Sequence, residues 1–226
     1  MGRVIFLRRV VVVVVAMAGA LLGLAACGGG NDRTAPQFTT QILSDAGFDG
    51  DIEQTSPGGY VVTQGMSPNV QSVFAGIDPV AQTEFRAFLD FPLSGASGVP
   101  GDAFIDSAFL EFFVDDLQPA NGSVPIRVEL VSFQPPSLIG TDFDRTIQPP
   151  LAAVVVTGDV NGADVGHFVP VDVTSLMIRA QQLGLADFQV RVMEDLGPAI
   201  YTLMVVDDTT GSNRPARAPL LTVTYH

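Results

Sequence analysis

The chain has no lysine and no tryptophan, and its 226 residues include one cysteine and two histidines. A single cysteine cannot form an internal disulfide, so the fold must be stable without one. This inventory also excludes a His/Cys zinc cluster. No Gly-x-Ser-x-Gly nucleophile elbow occurs either. Hydrolysis by a pair of carboxylates stays open among the 24 acidic residues, and nothing in the sequence selects a pair.

The N-terminus has the pattern of an export signal that ends at the cysteine. Three arginines precede the apolar stretch 10–26, which is at the lower limit for a membrane span and closes with small residues. The tetrapeptide Leu24-Ala25-Ala26-Cys27 resembles the lipobox of bacterial lipoproteins at all four positions. The resemblance implies diacylation of Cys27, cleavage before it and a mature chain that begins at Cys27.

The mature chain would be strongly acidic. Residues 1–26 hold three of the 11 basic residues and none of the 24 acidic ones, so the remainder has a charge of 8 − 24 = −16. Such a body repels nucleic acid and anionic lipid, so membrane attachment is expected through the lipid on Cys27. Gly28 in place of an aspartate favours the outer membrane if the envelope is Gram-negative. Because calcium takes oxygen ligands, Ca²⁺ is the candidate cofactor.

Composition divides the chain into a signal peptide (1–26), a lipidated flexible tether (27–37) and a single domain (38–226). Within the domain, short apolar runs are separated by Gly, Pro, Asn and Asp, which is typical of an all-β sandwich. The predicted strands are Tyr60–Gln64, Ser72–Gly76, Glu84–Phe91, Ala103–Asp115, Pro125–Phe133, Leu151–Thr157, His167–Val171, Phe188–Met193, Ile200–Val206 and Leu220–Tyr225.

One helix and one long loop interrupt this pattern. Apolar residues recur with helical spacing over 173–184, where Asp172 or Thr174 can cap the start and Gly184 can end the helix. The segment 134–150, bounded by two proline pairs, is predicted to be a loop that carries function or covers a sheet.

Three stretches, in order, resemble the DNRLRE-type domain, an extracellular β-sandwich related to jelly-roll carbohydrate-binding modules. They are Phe85–Leu93 followed by Ala103–Phe112, then Phe168–Leu176, and finally Asn213–Pro215 with Pro219–Tyr225. The likeness spans roughly residues 60–226. It implies a jelly-roll-like antiparallel β-sandwich and polysaccharide as the ligand class. Sugar recognition rests on aromatic platforms, which here would come from Tyr60, Tyr201, Tyr225 and exposed phenylalanines.

Acidic side chains at alternate positions mark a candidate metal site. Asp49, Asp51 and Glu53 lie in a Gly-bearing segment that is predicted to be a turn, with Asp45 just upstream. Such spacing can converge several oxygens on one Ca²⁺, and the alternative is a solvated acidic loop.

Two further groups have the same ambiguity, namely Asp142 with Asp144, and Asp159 with Asn161 and Asp164. The second resembles the start of a dockerin calcium loop, but Ala163 and Pro170 stand where that loop needs ligands, so an Asn-Gly turn is the better interpretation. His167 opens a predicted strand and is expected at the surface.

These observations favour a surface-tethered, non-enzymatic lipoprotein that binds polysaccharide or serves as a structural module of the envelope. One alternative is an adhesive or structural envelope component with protein partners. The other is a carboxylate-dependent enzyme that degrades polysaccharide, which would need two facing acids in a cleft.

The lipid anchor is tested by the substitution Cys27→Ser. Serine cannot form the thioether that carries the lipid, so the variant should leave the membrane fraction, whereas Gly30→Ser should stay in it. The distribution of the protein between membrane and soluble fractions measures this. A Cys27→Ser variant that stays membrane-bound would contradict the lipobox interpretation.

Overall fold

Strands are the main regular element of the domain, and the turns between them hold many of the Gly, Pro, Asn and Asp residues that break the apolar runs. The computed structural model describes residues 35–65, 70–95, 98–133, 137–156, 158–195 and 201–226. The strands are β1 (Phe38–Leu43), β2 (Gly50–Ser56), β3 (Gly59–Gln64), β4 (Ser72–Ile77), β5 (Glu84–Pro92), β6 (Ile105–Gln118), β7 (Ser123–Val124), β8 (Ile126–Val131), β9 (Ala152–Val155), β10 (Val160–Asn161), β11 (Phe168–Asp172), β12 (Asp187–Glu194), β13 (Leu203–Asp207) and β14 (Leu220–Tyr225). The helices are α1 (Thr174–Gln182) and α2 (Arg214–Arg217), with a 3₁₀ turn at Gly140–Phe143.

Twelve strands of the described residues join one curled antiparallel sheet, in the order β1-β14-β6-β13-β4-β5-β12-β8-β9. Strand β11 pairs with β6, and β2 pairs with both β3 and β5, while β7 and β10 form a separate two-stranded pair. The curl closes the sheet over one main core. The structure therefore confirms the prediction of an all-β, sandwich-like fold.

Each of the ten predicted strands overlaps an observed one, although Thr157 and Ile200 at their ends lie outside the described residues. The structure adds β1, β2, β7 and β10 to the predicted set. Each of these four is short or rich in polar residues, so its apolar alternation is weak.

The main core lies between the two halves of the curled sheet. It includes Leu110 and Phe112 from β6, Leu89 from β5, Val190 from β12 and Leu176 from α1, all of them 1 % exposed or less. Side chains alternate across a strand, so every second residue of β6 from Ala108 to Val114 enters this core.

The predicted helix is confirmed as α1. The Asp172 carboxylate accepts the Thr174 N–H at 2.9 Å, and Gly184 follows the helix with φ of +64°. A left-handed residue after the last turn is the usual end of a helix. The Thr174 hydroxyl also accepts the Ala108 N–H at 2.9 Å, which ties the start of α1 to β6.

The loop 137–150 covers the face of the sheet that points away from the main core. Leu138 and Phe143 from the loop pack with Ile52, Phe88 and Phe133 in a second buried cluster. The prediction that this segment covers a sheet is confirmed.

A buried arginine fastens this loop. Arg191 is fully buried on β12 and forms an ion pair with Glu129 at 2.6 Å. It also donates to the carbonyl oxygens of Asp142 at 2.6 Å and Gln148 at 3.2 Å, and Arg145 reaches Glu129 at 2.8 Å. Buried charges require such pairing, so the loop depends on the sheet for its position.

Residues Gln37–His226 form one compact unit. In the part of the chain that the structure describes, no helix combines the length and hydropathy needed to cross a membrane. The signal peptide, Cys27 and the tether up to residue 34 lie outside the described residues.

Neighbouring residues of β6 should differ sharply in their contribution to stability. Leu110 is fully buried, so Leu110→Ala should lower the free energy of unfolding by about 2–5 kcal/mol. Phe109 points to the opposite side and is 39 % exposed, so Phe109→Ala should cost about 1 kcal/mol or less. Urea unfolding of the two variants measures the difference, and equal losses would contradict the register of β6.

Candidate functional site: an aromatic sheet face

The outer side of β1, β14, β6 and β11 presents aromatic rings to solvent. We call this surface the aromatic face and define it by Phe109, Phe113 and Phe168, with Glu111 and Thr222 between them. These residues occupy the outward positions of their strands, while their immediate neighbours enter the core. Phe109 and Phe168 are each 39 % exposed.

Strand pairing brings the rings together from distant parts of the chain. Phe168 of β11 lies directly opposite Phe113 of β6, and their ring centroids are 5.4 Å apart in an edge-to-face arrangement. The guanidinium of Arg217 lies 4.8 Å from the Phe113 ring centroid, as a cation–π contact. Both contacts fix ring orientation, so the exposed ring surface is preorganised.

Hydroxyl and carboxylate groups stand beside the rings. The Thr222 hydroxyl donates to the Glu111 carboxylate at 3.2 Å, and the hydroxyls of Thr39 and Thr224 lie 3.2 Å apart. Apolar ring surface with adjacent oxygen groups suits a ligand that alternates C–H surface with hydroxyl groups.

The candidate metal ligands Asp49, Asp51 and Glu53 do not lie in a turn, and that part of the prediction is wrong. Residues 50–56 form β2, because they pair with β3 on one side and β5 on the other. The alternate spacing of the acids is the two-residue period of a strand.

The three acids have separate partners. Asp49 accepts the backbone N–H of Asp90 at 2.8 Å, and Glu53 accepts the hydroxyl of Thr83 at 2.8 Å. Asp51 is 2 % exposed, and one of its carboxylate oxygens has no hydrogen-bond partner. In the described segments, no three acidic, histidine or cysteine side chains are grouped so as to hold a metal. Calcium binding stays a prediction.

Asp49 belongs to a buried acid pair with Asp208. Arg214 donates to Asp208 at 2.9 Å and to the carbonyl oxygen of Ser44, and it lies 3.9 Å from Asp49. Burial raises the pKa of Asp49 well above its ordinary value, and the charge of Asp208 raises it further. The two acids are 1 % and 2 % exposed, so a polymer cannot reach them and the pair ties together the chain segments around it.

The other acidic candidates are engaged within their own loops. Asp142 accepts the N–H of Ile139 at 2.9 Å, and Asp144 accepts the N–H of Thr146 at 2.7 Å. In the second group the Asn161 N–H donates to Asp164 at 2.9 Å, and the Asn161 side chain accepts the Ala163 N–H at 3.0 Å; Asp159 accepts the Ser123 hydroxyl at 2.7 Å. The Ser123–Asp159 bond joins its loop to β7, and the other bonds lie within turns.

The predicted tyrosine platforms are scattered. Tyr60 packs on Phe143 of the covering loop with ring centroids 5.4 Å apart, Tyr225 stacks with Phe38 at 5.9 Å, and Tyr201 is 40 % exposed. None of the three lies on the aromatic face. His167 is exposed just before β11, as expected.

Sequence reasoning did not single out Phe109, Phe113 and Phe168 as one surface. The usable signal was the strict alternation along β6, which places Phe109, Glu111 and Phe113 on one side. The contribution of Phe168 depends on the pairing of β11 with β6, which is not local in sequence.

No protein-family model matches the chain, and no curated protein matches it. The lipobox and DNRLRE-type resemblances therefore stay predictions.

The buried acids should make stability depend on pH. Burial raises the pKa of Asp51 from 3.8 to about 7 and that of Asp90 from 3.8 to about 6. Because these pKa values are raised on folding, the native protein binds more protons between about pH 4 and 7 than the unfolded chain does. The stability that this proton binding contributes is fully present below about pH 4 and is lost as the pH rises through 6 to 7. The melting temperature should fall across that window.

The variant Asp51→Asn isolates this effect. It removes the buried charge, so at pH 8 it should be more stable than the parent by at least about 1 kcal/mol, the equivalent of one pKa unit. The matched control Asp102→Asn changes an exposed turn residue and should leave the melting curve unchanged. If Asp51→Asn melts lower than the parent at pH 8, the carboxylate is favourably charged in the fold and the argument fails.

Proposed function

We propose that this protein is a non-enzymatic lipoprotein of the bacterial cell envelope, anchored through Cys27, whose sandwich domain binds polysaccharide on the aromatic face. The observation that carries the proposal is the pair of exposed rings, Phe109 and Phe168, on a sheet surface with the half-buried Phe113 and flanking hydroxyl and carboxylate groups. The lipobox resemblance supports the anchor, and the DNRLRE-type resemblance supports the ligand class.

Charge narrows the ligand class. The aromatic face includes Glu111, and Asp172 is exposed opposite Phe109 at the edge of the same sheet. Carboxylates here, on a chain of net charge −13, repel an acidic polymer. A neutral polysaccharide is therefore the expected ligand, and an acidic one would need calcium as a bridge.

The binding test is retention on a panel of neutral and acidic insoluble polysaccharides, in calcium and in chelator. A soluble form that starts at Arg33 leaves the compact unit Gln37–His226 intact. Retention of the parent on a neutral polymer in both conditions is expected. Retention that is lost in chelator would instead assign calcium a role.

The double variant Phe109→Ala/Phe168→Ala should lose about tenfold in affinity, since aromatic contacts of this type contribute about 0.5–1.5 kcal/mol each. Phe104→Ala removes an exposed ring outside the aromatic face and should bind like the parent. Equal binding by the parent, the double variant and Phe104→Ala would mean that the ligand binds another surface. No retention on any polymer would favour protein partners, and release of reducing ends would favour the enzymatic alternative.

A further inference from the structure

Two further ring pairs stand at the end of the sandwich where the compact unit begins at Gln37. Phe38 stacks on Tyr225 with ring centroids 5.9 Å apart and planes at 29°. Phe104 lies against the His226 ring at 4.9 Å and 37°. We call these four residues the aromatic end.

The aromatic end is rigidly held yet open to its surroundings. Phe104 and His226 exchange both backbone hydrogen bonds, at 2.9 and 3.0 Å. Phe38 is 54 % exposed and Phe104 is 66 % exposed, which makes Phe104 the more open of the two. Rings fixed in this way lose little conformational freedom when they bind a surface.

The Asp106 carboxylate at this end is engaged in two side-chain contacts. His226 Nδ1 lies 3.0 Å from the Asp106 carboxylate, which also accepts the Gln37 side-chain amide at 2.9 Å. These two hydrogen bonds lower the pKa of Asp106, and the bond from Gln37 has the larger effect. The rings therefore border a hydrogen-bonded carboxylate.

The position of the aromatic end matters because of Cys27. Gln37 begins the compact unit and follows Cys27 by ten residues. At about 3.6 Å per residue, this segment keeps Gln37 within about 36 Å of a lipid on Cys27. A tether of this length holds the domain at roughly millimolar effective concentration beside the membrane, so a weak contact suffices to orient it.

We propose that the aromatic end docks on the membrane surface, with the rings of Phe38 and Phe104 in the headgroup region of the lipid to which the chain is anchored. The proposal rests on the lipid anchor of the proposed function. The apolar area of the two phenylalanine rings drives their partial burial at the interface. Tyr225, which stacks on Phe38, has the polar hydroxyl that favours the membrane interface. Because Asp106 is a carboxylate and the chain is acidic, an anionic surface would be repelled, and a zwitterionic surface is the partner that fits.

The absence of tryptophan makes a direct test available, because one introduced tryptophan is the only indole in the chain. The full chain with Phe104→Trp is purified from membranes and reconstituted into phosphatidylcholine vesicles with brominated acyl chains, which quench indole emission. Insertion of about 5–10 Å into the interface should remove roughly half of the emission, compared with vesicles of unbrominated lipid.

The matched control is Phe168→Trp. Phe168 lies opposite Phe113 of β6, and Tyr225 of the aromatic end lies opposite Ile105 of the same strand. Phe113 and Ile105 are eight residues apart along β6. At about 3.3 Å per residue this is roughly 26 Å from the aromatic end, so its emission should be unchanged by brominated lipid.

The outcomes separate the two proposals. If the chain is on the vesicles but the tryptophan at position 104 is not quenched, or the one at 168 is quenched more, the docking proposal is overturned. If the chain is absent from the membrane fraction, the lipid anchor fails. The two tryptophan variants are then coupled through the single thiol of Cys27 to a maleimide lipid, and the same comparison decides the docking proposal.

Discussion

The pairing of β6 is the constraint on which both the core and the aromatic face depend. Its first part pairs with β11 on one side and β14 on the other, and its last part pairs with β13. With a period of two, this register sends Leu110 and Phe112 inward and Phe109 and Phe113 outward. A slip of one residue would bury the face and expose the core, so fold and surface are specified together.

The same strand joins the two halves of the curled sheet. Val206 lies opposite Val114 and Val205 lies opposite Asp116, so Asp115 is an extra residue in the ladder. Such bulges bend a strand and increase its twist. Strand β6 can therefore run through both halves without interrupting the core, which a flat strand of 14 residues could not do.

Buried ion pairs hold the loops to the sheet. The geometry of these pairs explains why arginine is the basic residue in them. Arg191 bonds one carboxylate and two loop carbonyls at once, and Arg214 bonds Asp208, the carbonyl of Thr209 and that of Ser44. A guanidinium offers five donors in a plane, whereas an ammonium is a compact point charge. Loss of Arg191 would leave Glu129 buried and partly uncompensated, at a cost of about 3–5 kcal/mol.

The sequence predicted what depends on local periodicity. The helix α1 and the core strands follow from apolar spacing that is visible along the chain. The prediction of a turn at β2 was wrong because acids at alternate positions occur both in solvated loops and in strands, and the sequence alone does not distinguish the two. Only the tertiary structure buries Asp51, and only the β6–β11 pairing brings Phe168 to Phe113. Both features need contacts between residues more than 20 positions apart, which no local pattern contains.

The aromatic end and the aromatic face occupy different parts of β6. This separation matters for how a domain anchored to a membrane could bind a polymer. The aromatic end is at the start of β6, near Ile105, and the aromatic face extends along its side to Phe113. If the end rests on the membrane, β6 points away from the lipid and the face stands beside the membrane rather than against it. A polymer could then approach the rings laterally while the domain stays docked. Because the two surfaces share no residue, membrane docking and ligand binding would be independent. Strand β6, whose register specifies the core, would also set the height of the aromatic face above the lipid.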